Sequence, residues 1–555
     1  MRFIQLVSLA TLALVHANLN AQPRESIPVA FIQADFTKAI DAQLTTGKTA
    51  LLRSNNFSRD REAIREFYES RQYRPVWFDN GQVTRQGVLL LQTFRNTDRY
   101  GLRPDDYDGT ALVYRAIAFV TNAKESANAE LDLAITIAAA RLIRHLHFGR
   151  VDPKQAEFDV TRADFDLSGA LHRLSSEGSP DEVLASVEPQ FLHYQLLKKA
   201  MYRYRDLSLE RDLTQLPTFK PRSINPNDAY EGAAKLRLLL IALGDLPADT
   251  TTSDSVLDEA LVKGVARFQQ RHGLTADGAL GRKTFEALKT PLSVRAEQLA
   301  LSLERWRWLP EFSTPPIIAN IPQFRLFAFR STRDEAAQML QMDVIVGKNF
   351  PTTRTPAFTA ELKYLVLRPY WDAPPTIQQD EMVPAIRANA EYLEKNNMEI
   401  IGSDGNTVAF SPEVLEQLAA GTLRLRQKPG DDNSLGLVKL MLPNSYNVYL
   451  HSTPAQRLFK ETSRAFSHGC IRLSDPAGLV EHVLRDQPGE WTRAKIEAAM
   501  HDESPQANNR HIFLEKPIPV LIVYATAMVQ ESGDVQFFED IYGHDQKLRK
   551  LLKAR

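Results

Sequence analysis

One short segment near the C-terminal end combines residue types that can perform nucleophilic chemistry. The stretch SRAFSHGCIRLSDP, residues 463–476, holds Cys470, the only cysteine among 555 residues, next to His468 and Gly469. A thiol with a pKa of about 8.5 is mostly protonated at neutral pH, and a histidine within hydrogen-bond reach can take its proton. Glycine removes a side chain, so a substrate carbonyl can approach backbone N–H groups that would hold an oxyanion. The segment therefore predicts a cysteine nucleophile.

A second histidine lies upstream, in a segment with the pattern of a β-hairpin. Residues 437–442 and 446–451 alternate as two strands around a short turn. Successive side chains of a strand point to opposite faces, so Tyr449 and His451 are expected on the same side. The strand pattern allows either His451 or His468 to act as the base for the cysteine.

The residues after the cysteine predict the start of a helix. Asp475 suits the N-cap position, and Pro476 suits the first helical position, where no N–H is needed. Cys470 is therefore expected just upstream of a helix.

The first residues of the chain predict export. Arg2 gives a short positive region, and residues 3–15 are mostly apolar but too few to span a bilayer as a helix. Small residues that suit cleavage follow at Ala17 and Ala21. We predict a signal peptide over residues 1–21 and no membrane span in the mature protein.

Export changes the meaning of a lone cysteine. Exported proteins meet an oxidising compartment in which cysteines usually pair, and one cysteine cannot pair within its own chain. The thiol is then inert and buried, linked to another chain, or reactive. The two histidines and the glycine near it favour the reactive interpretation.

Composition limits the classes of partner. The 67 Lys and Arg residues nearly balance the 68 Asp and Glu residues, which argues against a nucleic-acid-binding protein. The length predicts about three or four domains.

The chain divides into three regions after the signal peptide. Residues 30–220 have helical periodicity, most clearly in AELDLAITIAAARLIRHLHFGRVDP, and predict a helical scaffold domain. A proline-rich linker follows, and residues 225–291 predict a compact bundle of three short helices. Residues 315–545 alternate as strands, interrupted by a helical, charged insertion over 375–432 that we expect to cap a site.

The motifs resemble those of the L,D-transpeptidases with a YkuD-type catalytic domain. The stretches HSTP and SHGCIRLSD are similar to the histidine and the His-Gly-Cys signature of that family. ARFQQRHGLTADGALGRKTFEAL resembles a peptidoglycan-binding bundle, and FYESRQYRPVW resembles the scaffold of the large, YcbB-like subclass. The resemblance implies a multidomain fold: an α-helical scaffold, a small three-helix peptidoglycan-binding bundle, and a mainly β catalytic domain with a helical insertion.

The resemblance also implies roles for individual residues. Cys470 matches the nucleophile and His451 the general base, with the backbone carbonyl of Ser452 orienting the ring. The amides of Gly469 and Cys470 match an oxyanion hole. The remaining candidates line the same site or its substrate groove: Ser467, His468, Arg472, Tyr449 and Trp371. Arg472 is expected either to bind a substrate carboxylate or to be structural, and Tyr449 and Trp371 either line the groove or pack in the core.

The activity that the resemblance implies is cell-wall cross-linking in the periplasm. Cys470 would attack a tetrapeptide stem at its third residue, meso-diaminopimelate, and release D-alanine. The thioester would pass to the amine of a second stem, giving a 3→3 cross-link, and water or a D-amino acid could replace that amine. Neither a metal nor an organic cofactor is expected, peptidoglycan is the expected partner, and carbapenems should acylate the same thiol.

Three other interpretations of the sequence stay open. A cysteine carboxypeptidase or endopeptidase would hydrolyse stems, although His before Cys argues against the papain-like order. A non-catalytic peptidoglycan-binding scaffold would depend on the bundle alone. A zinc peptidase is disfavoured because the sequence has no HExxH spacing.

Overall fold

A computed structural model describes most of the chain in two compact units. The described residues are 29–122, 126–161, 164–176, 178–210, 212–220, 222–251, 253–331 and 339–554. The first unit comprises the described residues within Met1–Asp152, Arg162–Leu209 and Leu292–Pro310, and the second comprises those within Pro153–Thr161, Glu210–Pro291 and Glu311–Arg555. The predicted signal peptide lies outside the described residues. Among the helices of the described part, none is long and apolar enough to cross a membrane.

The first unit is helical, as predicted for the scaffold. Its helices are Val29–Thr46, Arg61–Ser70, Arg85–Arg95, Gly109–Asn122, Ser126–Phe148, Leu167–Ser175, Pro180–Val187, Leu192–Glu210 and Leu292–Trp306. A two-stranded hairpin, Phe78–Asp79 with Gln82–Val83, lies between the second and third of these helices.

The helix Ser126–Phe148 is the centre of this unit because it is buried on every side from Leu131 to Ile143. One carboxylate is nevertheless buried on it: Asp132 accepts hydrogen bonds from the Tyr68 hydroxyl at 2.7 Å and from the Trp77 backbone N–H at 2.8 Å. Buried charges need such partners to offset the loss of water. The FYESRQYRPVW stretch is thus hydrogen-bonded to the central helix through Tyr68 and Trp77.

The small bundle of the second unit has the three predicted helices, Ala233–Leu243, Glu259–Arg271 and Arg282–Leu288. Two glycines end helices in the left-handed conformation: Gly244 has a φ of +85° and Gly273 a φ of +64°.

The bundle is joined to the C-terminal hairpin of the same unit, which pairs Ala527–Val529 with Val535–Phe537. Arg271, which also forms a buried ion pair with Asp245, donates to the carbonyl oxygen of Val535 at 2.9 Å. A directional hydrogen bond therefore connects the bundle to this hairpin, in addition to the covalent connection through the chain.

The rest of the second unit is built on a sheet that closes on itself. The strands are β1 (Ile317–Asn320), β2 (Arg325–Ala328), β3 (Leu340–Gly347), β4 (Ala357–Leu367), β5 (Val438–Met441), β6 (Leu450–His451), β7 (Ile471–Leu473) and β8 (Arg510–Val523). They pair in the order β4-β5-β6-β7-β3-β2-β1-β8 and back to β4. Pairs β6–β7 and β1–β8 are parallel, and the other pairs in this circuit are antiparallel.

Alternation along the strands separates two faces of this sheet. Leu440, Leu450 and Ile471 are cross-strand neighbours with no exposed surface, so their row faces the core. The adjacent residues of the same strands face the opposite side, where the candidate site lies.

The insertion over 375–432 is not only helical, which corrects the sequence interpretation. It has helices Val383–Ala388, Tyr392–Lys395 and Pro412–Ala419. It also has a sheet of its own, in the order Trp371–Asp372, Arg424–Gln427, Met398–Ile401 and Thr407–Val408. The strand segments are short and contain charged residues, so their alternation is weak in the sequence. Their apolar residues bury a separate small core against the helices.

Candidate active site

Three polar side chains form one row across the outer face of the sheet. Lys439 on β5 is the antiparallel partner of His451 on β6, and His451 is the parallel partner of Arg472 on β7. Residues directly opposite each other on neighbouring strands project from the same face. The histidine is therefore flanked by a lysine on one strand and an arginine on the other.

Cys470 is presented by a short loop between the strand Ala465–Ser467 and β7. Ser467 Oγ donates to the carbonyl oxygen of Cys470 at 2.6 Å and accepts from the N–H of Gly469 at 3.1 Å. Gly469 has a φ of +121°, which residues with a side chain rarely adopt. The Gly469 amide is thus already hydrogen-bonded, whereas the Cys470 amide makes no hydrogen bond to a described residue.

A buried network holds Gly469 from the other side. Thr355 Oγ1 donates to the carbonyl oxygen of Gly469 at 2.8 Å and accepts from the N–H of Gly347 at 2.9 Å. The Tyr542 hydroxyl donates to the Gly347 carbonyl oxygen at 2.6 Å. Both backbone polar groups of Gly469 are therefore held, which fixes the direction of the Cys470 amide that follows.

The thiol of Cys470 is half-buried rather than sealed in the core. Its sulfur lies 3.6 Å from the carbonyl oxygen of Asn447, to which the thiol donates. Burial raises the pKa of Cys470 above its ordinary value. The backbone and side chain of Tyr449 and the charges of Lys439 and Arg472 act in the opposite direction. Burial thus favours the protonated thiol, while the surroundings of Cys470 contain groups that favour the thiolate.

His451 is a buried, neutral imidazole. Burial lowers the pKa of His451 to about 3, and the charge of Arg472 acts in the same direction. The carbonyl groups of Ser452 and Leu435 lie close enough to favour the protonated ring, although Nδ1 makes no hydrogen bond of full geometry with a described residue. An imidazole that is neutral at physiological pH can accept a proton but supplies no charge.

Ser452 also holds the segment that precedes β5. Its hydroxyl accepts from the N–H of Leu437 at 2.6 Å and donates to the carbonyl oxygen of Leu435 at 3.1 Å. At Gly436, a Cβ atom would lie 2.0 Å from Ser452 Oγ, so only glycine fits there. The serine next to the histidine is thus tied to the neighbouring chain through its side chain.

The strand that carries His451 is shorter than the sequence predicts. Only Leu450–His451 pairs as a strand, while residues 442–449 form an irregular loop. The side chain of Asn444 accounts for this because it accepts from the N–H of Val448 at 3.2 Å and donates to its carbonyl oxygen at 2.7 Å. Such local hydrogen bonds compete with strand pairing. They place the Asn447 carbonyl beside the thiol.

His468 points toward the insertion. Its Nε2 lies 2.8 Å from Oε1 of Glu381, and both side chains are partly exposed. The two predicted histidines therefore occupy different settings: His451 lies in the charged row, and His468 links the cysteine loop to the insertion.

Tyr449 and Trp371 meet beside the cysteine. The rings of Tyr449 and His451 lie edge to face, with centroids 5.6 Å apart, so the predicted shared side is observed. Burial raises the pKa of Tyr449, the charge of Cys470 acts in the same direction, and a hydrogen bond with Trp371 acts against it. Trp371 also packs on the core of the insertion and pairs with Gln427. Its indole therefore joins the insertion to the site.

Arg472 has no carboxylate partner among the described residues. Its Nε is buried without a hydrogen bond, and burial lowers the pKa of the guanidinium while Cys470 acts to raise it. An unpaired guanidinium beside a thiol is suited to an anion, either a thiolate or a substrate carboxylate.

Three contributors to this site were missed in the sequence. Lys439 looked like an ordinary alternating strand residue, Asn447 contributes only its carbonyl, and Glu381 lies far away in the chain. The cross-strand register of Lys439 with His451 requires knowing which strands pair, and the sequence contains no local signal for it.

Three parts of the chain match models of known protein families. Residues 315–495 match the L,D-transpeptidase catalytic domain called YkuD. Residues 62–201 match a scaffold domain, and residues 230–288 match a family described as "Putative peptidoglycan binding domain". The chain therefore carries a YkuD-type L,D-transpeptidase catalytic domain together with a scaffold domain and a peptidoglycan-binding domain, which confirms the resemblance drawn from the motifs.

A relative from Haemophilus influenzae has the name "Putative L,D-transpeptidase". It is 29% identical to this chain over 283 residues, which are 50% of this chain and 54% of the relative. The similarity thus spans about half of each protein.

Proposed function

We propose that the protein is an L,D-transpeptidase that forms 3→3 cross-links between peptidoglycan stem peptides through a thioester on Cys470. The observation that carries the proposal is a half-buried thiol beside Lys439 and Arg472, two cations with no carboxylate partner among the described residues. His451, a neutral imidazole, is their neighbour in the same row. Such a site stabilises negative charge on sulfur or oxygen and contains a group that can take a proton.

Acylation begins with attack by the Cys470 sulfur on the carbonyl carbon of the third residue of a donor stem. His451 accepts the thiol proton as the C–S bond forms. The carbonyl oxygen becomes an oxyanion, which the open Cys470 amide is placed to receive. The C–N bond then breaks, and the proton on His451 passes to the leaving amine of D-alanine.

Transfer reverses these steps: a C–N bond forms and the C–S bond breaks. The side-chain amine of a second stem attacks the thioester carbonyl and gives its proton to His451. The C–S bond breaks and the sulfur leaves as a thiolate, which His451 reprotonates. An amide bond between two third-position residues is the product, and one D-alanine is released per cross-link.

Arg472 is proposed to bind carboxylate groups of the stem peptides. The described residues offer it no carboxylate, and a bidentate guanidinium contact would orient the peptide relative to the sulfur. Tyr449 and Trp371 would then form the wall of the groove on the side of the insertion.

The insertion and the bundle are proposed to serve the same reaction. The contact of His468 with Glu381 places the insertion next to the cysteine loop, so it can cover bound stems and exclude water. The bundle would keep the enzyme close to its polymeric substrate. This substrate lies outside the cytoplasm, so we propose that the protein acts in the periplasm after export.

Incubation of the purified protein with tetrapeptide muropeptides tests the proposal. We expect the wild type to form dimers with 3→3 linkage and to release D-alanine, as read by mass spectrometry, while Cys470→Ala forms neither. Shortened stems without dimers would instead indicate a hydrolase. Binding to peptidoglycan with no new product from either protein would leave only a wall-binding scaffold.

A further inference from the structure

We propose that Lys439 is a further functional residue of this site, whose ammonium group stabilises the thiolate of Cys470. This inference rests on the proposed function, because it concerns the leaving group and nucleophile of that reaction. Neither its residue type nor its local sequence marks Lys439 as part of the site.

The position of Lys439 follows from the sheet. It is the direct cross-strand partner of His451, and its backbone is held on the other side by pairing with Val366 on β4. Its Nζ lies 4.0 Å from the centroid of the Tyr449 ring. A cation over an aromatic face is attracted by the ring and is held in place by it.

Tyr449 in turn lies against the cysteine segment. Its carbonyl oxygen accepts from the N–H of Ile471 at 3.1 Å, and Leu450 pairs with Ile471. The ring that holds the ammonium group is therefore fixed by backbone contacts to the residues around Cys470, so the lysine and the sulfur share one small region.

Lys439 lacks the partner that a half-buried lysine usually needs. It forms no ion pair with a described carboxylate, whereas Lys363 pairs with Glu361 at 3.5 Å and Lys547 pairs with Glu157. Asp372 acts on it only from beyond ion-pair distance and is itself paired with Arg424 at 3.5 Å. An unpaired, half-buried cation is costly, and a thiolate at Cys470 would supply the missing opposite charge.

Among the charged and titratable groups around the Cys470 sulfur, the cations are the ones that can stabilise a thiolate. Tyr449, Lys439 and Arg472 act on Cys470, and Asp372 acts on Lys439. His451 is neutral, so the structure does not contain the imidazolium that often stabilises a catalytic thiolate. Lys439 and Arg472 are the cations that can take its place.

Two steps of the reaction would gain from this charge. Stabilising the thiolate increases the fraction of Cys470 that is ionised and can act as a nucleophile. The thioester also breaks faster, because a stabilised thiolate is a better leaving group. Both effects predict that Lys439 influences acylation and transfer alike.

The test is the rate of Cys470 alkylation by iodoacetamide as a function of pH, with purified full-length protein. In Lys439→Met, we expect the midpoint of the alkaline limb to rise by about one pH unit, because an opposite charge nearby shifts a pKa by about that much or more. At a fixed pH below the midpoint, alkylation should slow about tenfold. Lys439→Arg should keep a midpoint close to that of the wild type, because it retains the charge.

Lys363→Met serves as the control, since Lys363 is an exposed lysine paired with Glu361 and should leave the profile unchanged. If Lys439→Met fails to fold by circular dichroism, Lys439→Gln keeps polarity while removing the charge and gives the same comparison. An unchanged midpoint in a folded, uncharged variant would overturn the inference. This result is distinguishable from failure of the proposed function, because alkylation of the thiol needs no stem peptide and no cross-linking.

Discussion

The hydroxyl of Ser467 donates a hydrogen bond of 2.6 Å to the carbonyl oxygen of Cys470 and accepts one from the N–H of Gly469. One buried side chain thus closes the loop that presents Cys470. Only three residues, 468–470, separate the strand Ala465–Ser467 from β7, so the geometry of this loop depends on few interactions.

Replacing Ser467 tests this dependence. In Ser467→Ala, both hydrogen bonds are lost, and we expect the protein to lose about 1–3 kcal/mol of unfolding free energy because buried backbone groups lose their partners. Acylation by a stem peptide should slow about tenfold or more, because small misplacements of a catalytic group are costly. Denaturant unfolding and intact-protein mass spectrometry measure the two effects. Ser463→Ala, at an exposed position in the same segment, should match the wild type, and an equal loss in both variants would contradict the assignment.

The structure has room for a methyl group at position 469, but the backbone conformation there is unfavourable for alanine. A Cβ atom would lie 3.6 Å from the carbonyl oxygen of Arg354, which is ordinary contact, whereas the φ of +121° is strained for alanine. We expect Gly469→Ala to cost roughly 1–3 kcal/mol of stability and to lower the acylation rate.

Gly533→Ala provides the matched control. Gly533 has a φ of +85° in a hairpin turn with open space around it. It should cost a comparable amount of stability without changing acylation, and a loss of acylation there too would show that strain alone explains the first variant.

The buried imidazole of His451 predicts a specific loss of stability in acid. Its pKa is about 3 in the folded protein against an ordinary value of 6.5, so the unfolded chain binds more protons between these pH values. The contribution of His451 is therefore fully present above pH 6.5 and is lost as the pH falls toward 3. Between pH 7.5 and pH 5, the wild type should lose about 2 kcal/mol more unfolding free energy than His451→Asn. Chemical denaturation at the two pH values measures this difference; His511→Asn, at an exposed position, should keep the wild-type slope.

We expect the contact between His468 and Glu381 to stabilise the position of the insertion only modestly. Both side chains are partly exposed, so the pair is worth at most about 1 kcal/mol. In Glu381→Gln, amide hydrogen exchange over residues 378–388 should become faster, and alkylation of Cys470 should speed up no more than about fivefold. Glu391→Gln breaks an exposed pair with Lys395 elsewhere on the insertion and is the control. Equal protection in all three proteins would show that this contact does not hold the insertion.

Acylation by a carbapenem should occur on Cys470 alone. The strained carbonyl of the drug presents the same target as the stem peptide, so a covalent adduct should appear on the wild type and be absent from Cys470→Ala. His451→Ala should form it more slowly by about 100-fold or more, because proton transfer by a positioned base contributes about that much. Intact-protein mass spectrometry over time measures all three, and an adduct that persists in Cys470→Ala would place the reaction elsewhere.

Much of the fold follows from patterns that are local in the sequence. Helical spacing places the central helix Ser126–Phe148, and glycine and aspartate mark the ends of the bundle helices. The start of the helix after the cysteine is also local, because Asp475 caps it by accepting from the N–H of Gly478 and Pro476 opens it. The sheet within the insertion is not, since its short strands become strands only by pairing with one another.

A lone cysteine in a His-Gly-Cys segment is a contiguous signal, so the candidate nucleophile and its nearest neighbours could be predicted from the residues alone. The electrostatic setting of that thiol, in contrast, depends on how the strands pair. Lys439, His451 and Arg472 lie on three different strands, and their order in space depends on an antiparallel pair beside a parallel one. Electrostatic interactions depend on distance in space rather than on separation along the chain. The neutral state of His451 and the proximity of Lys439 to the site could therefore be inferred only once the pairing of the strands was known.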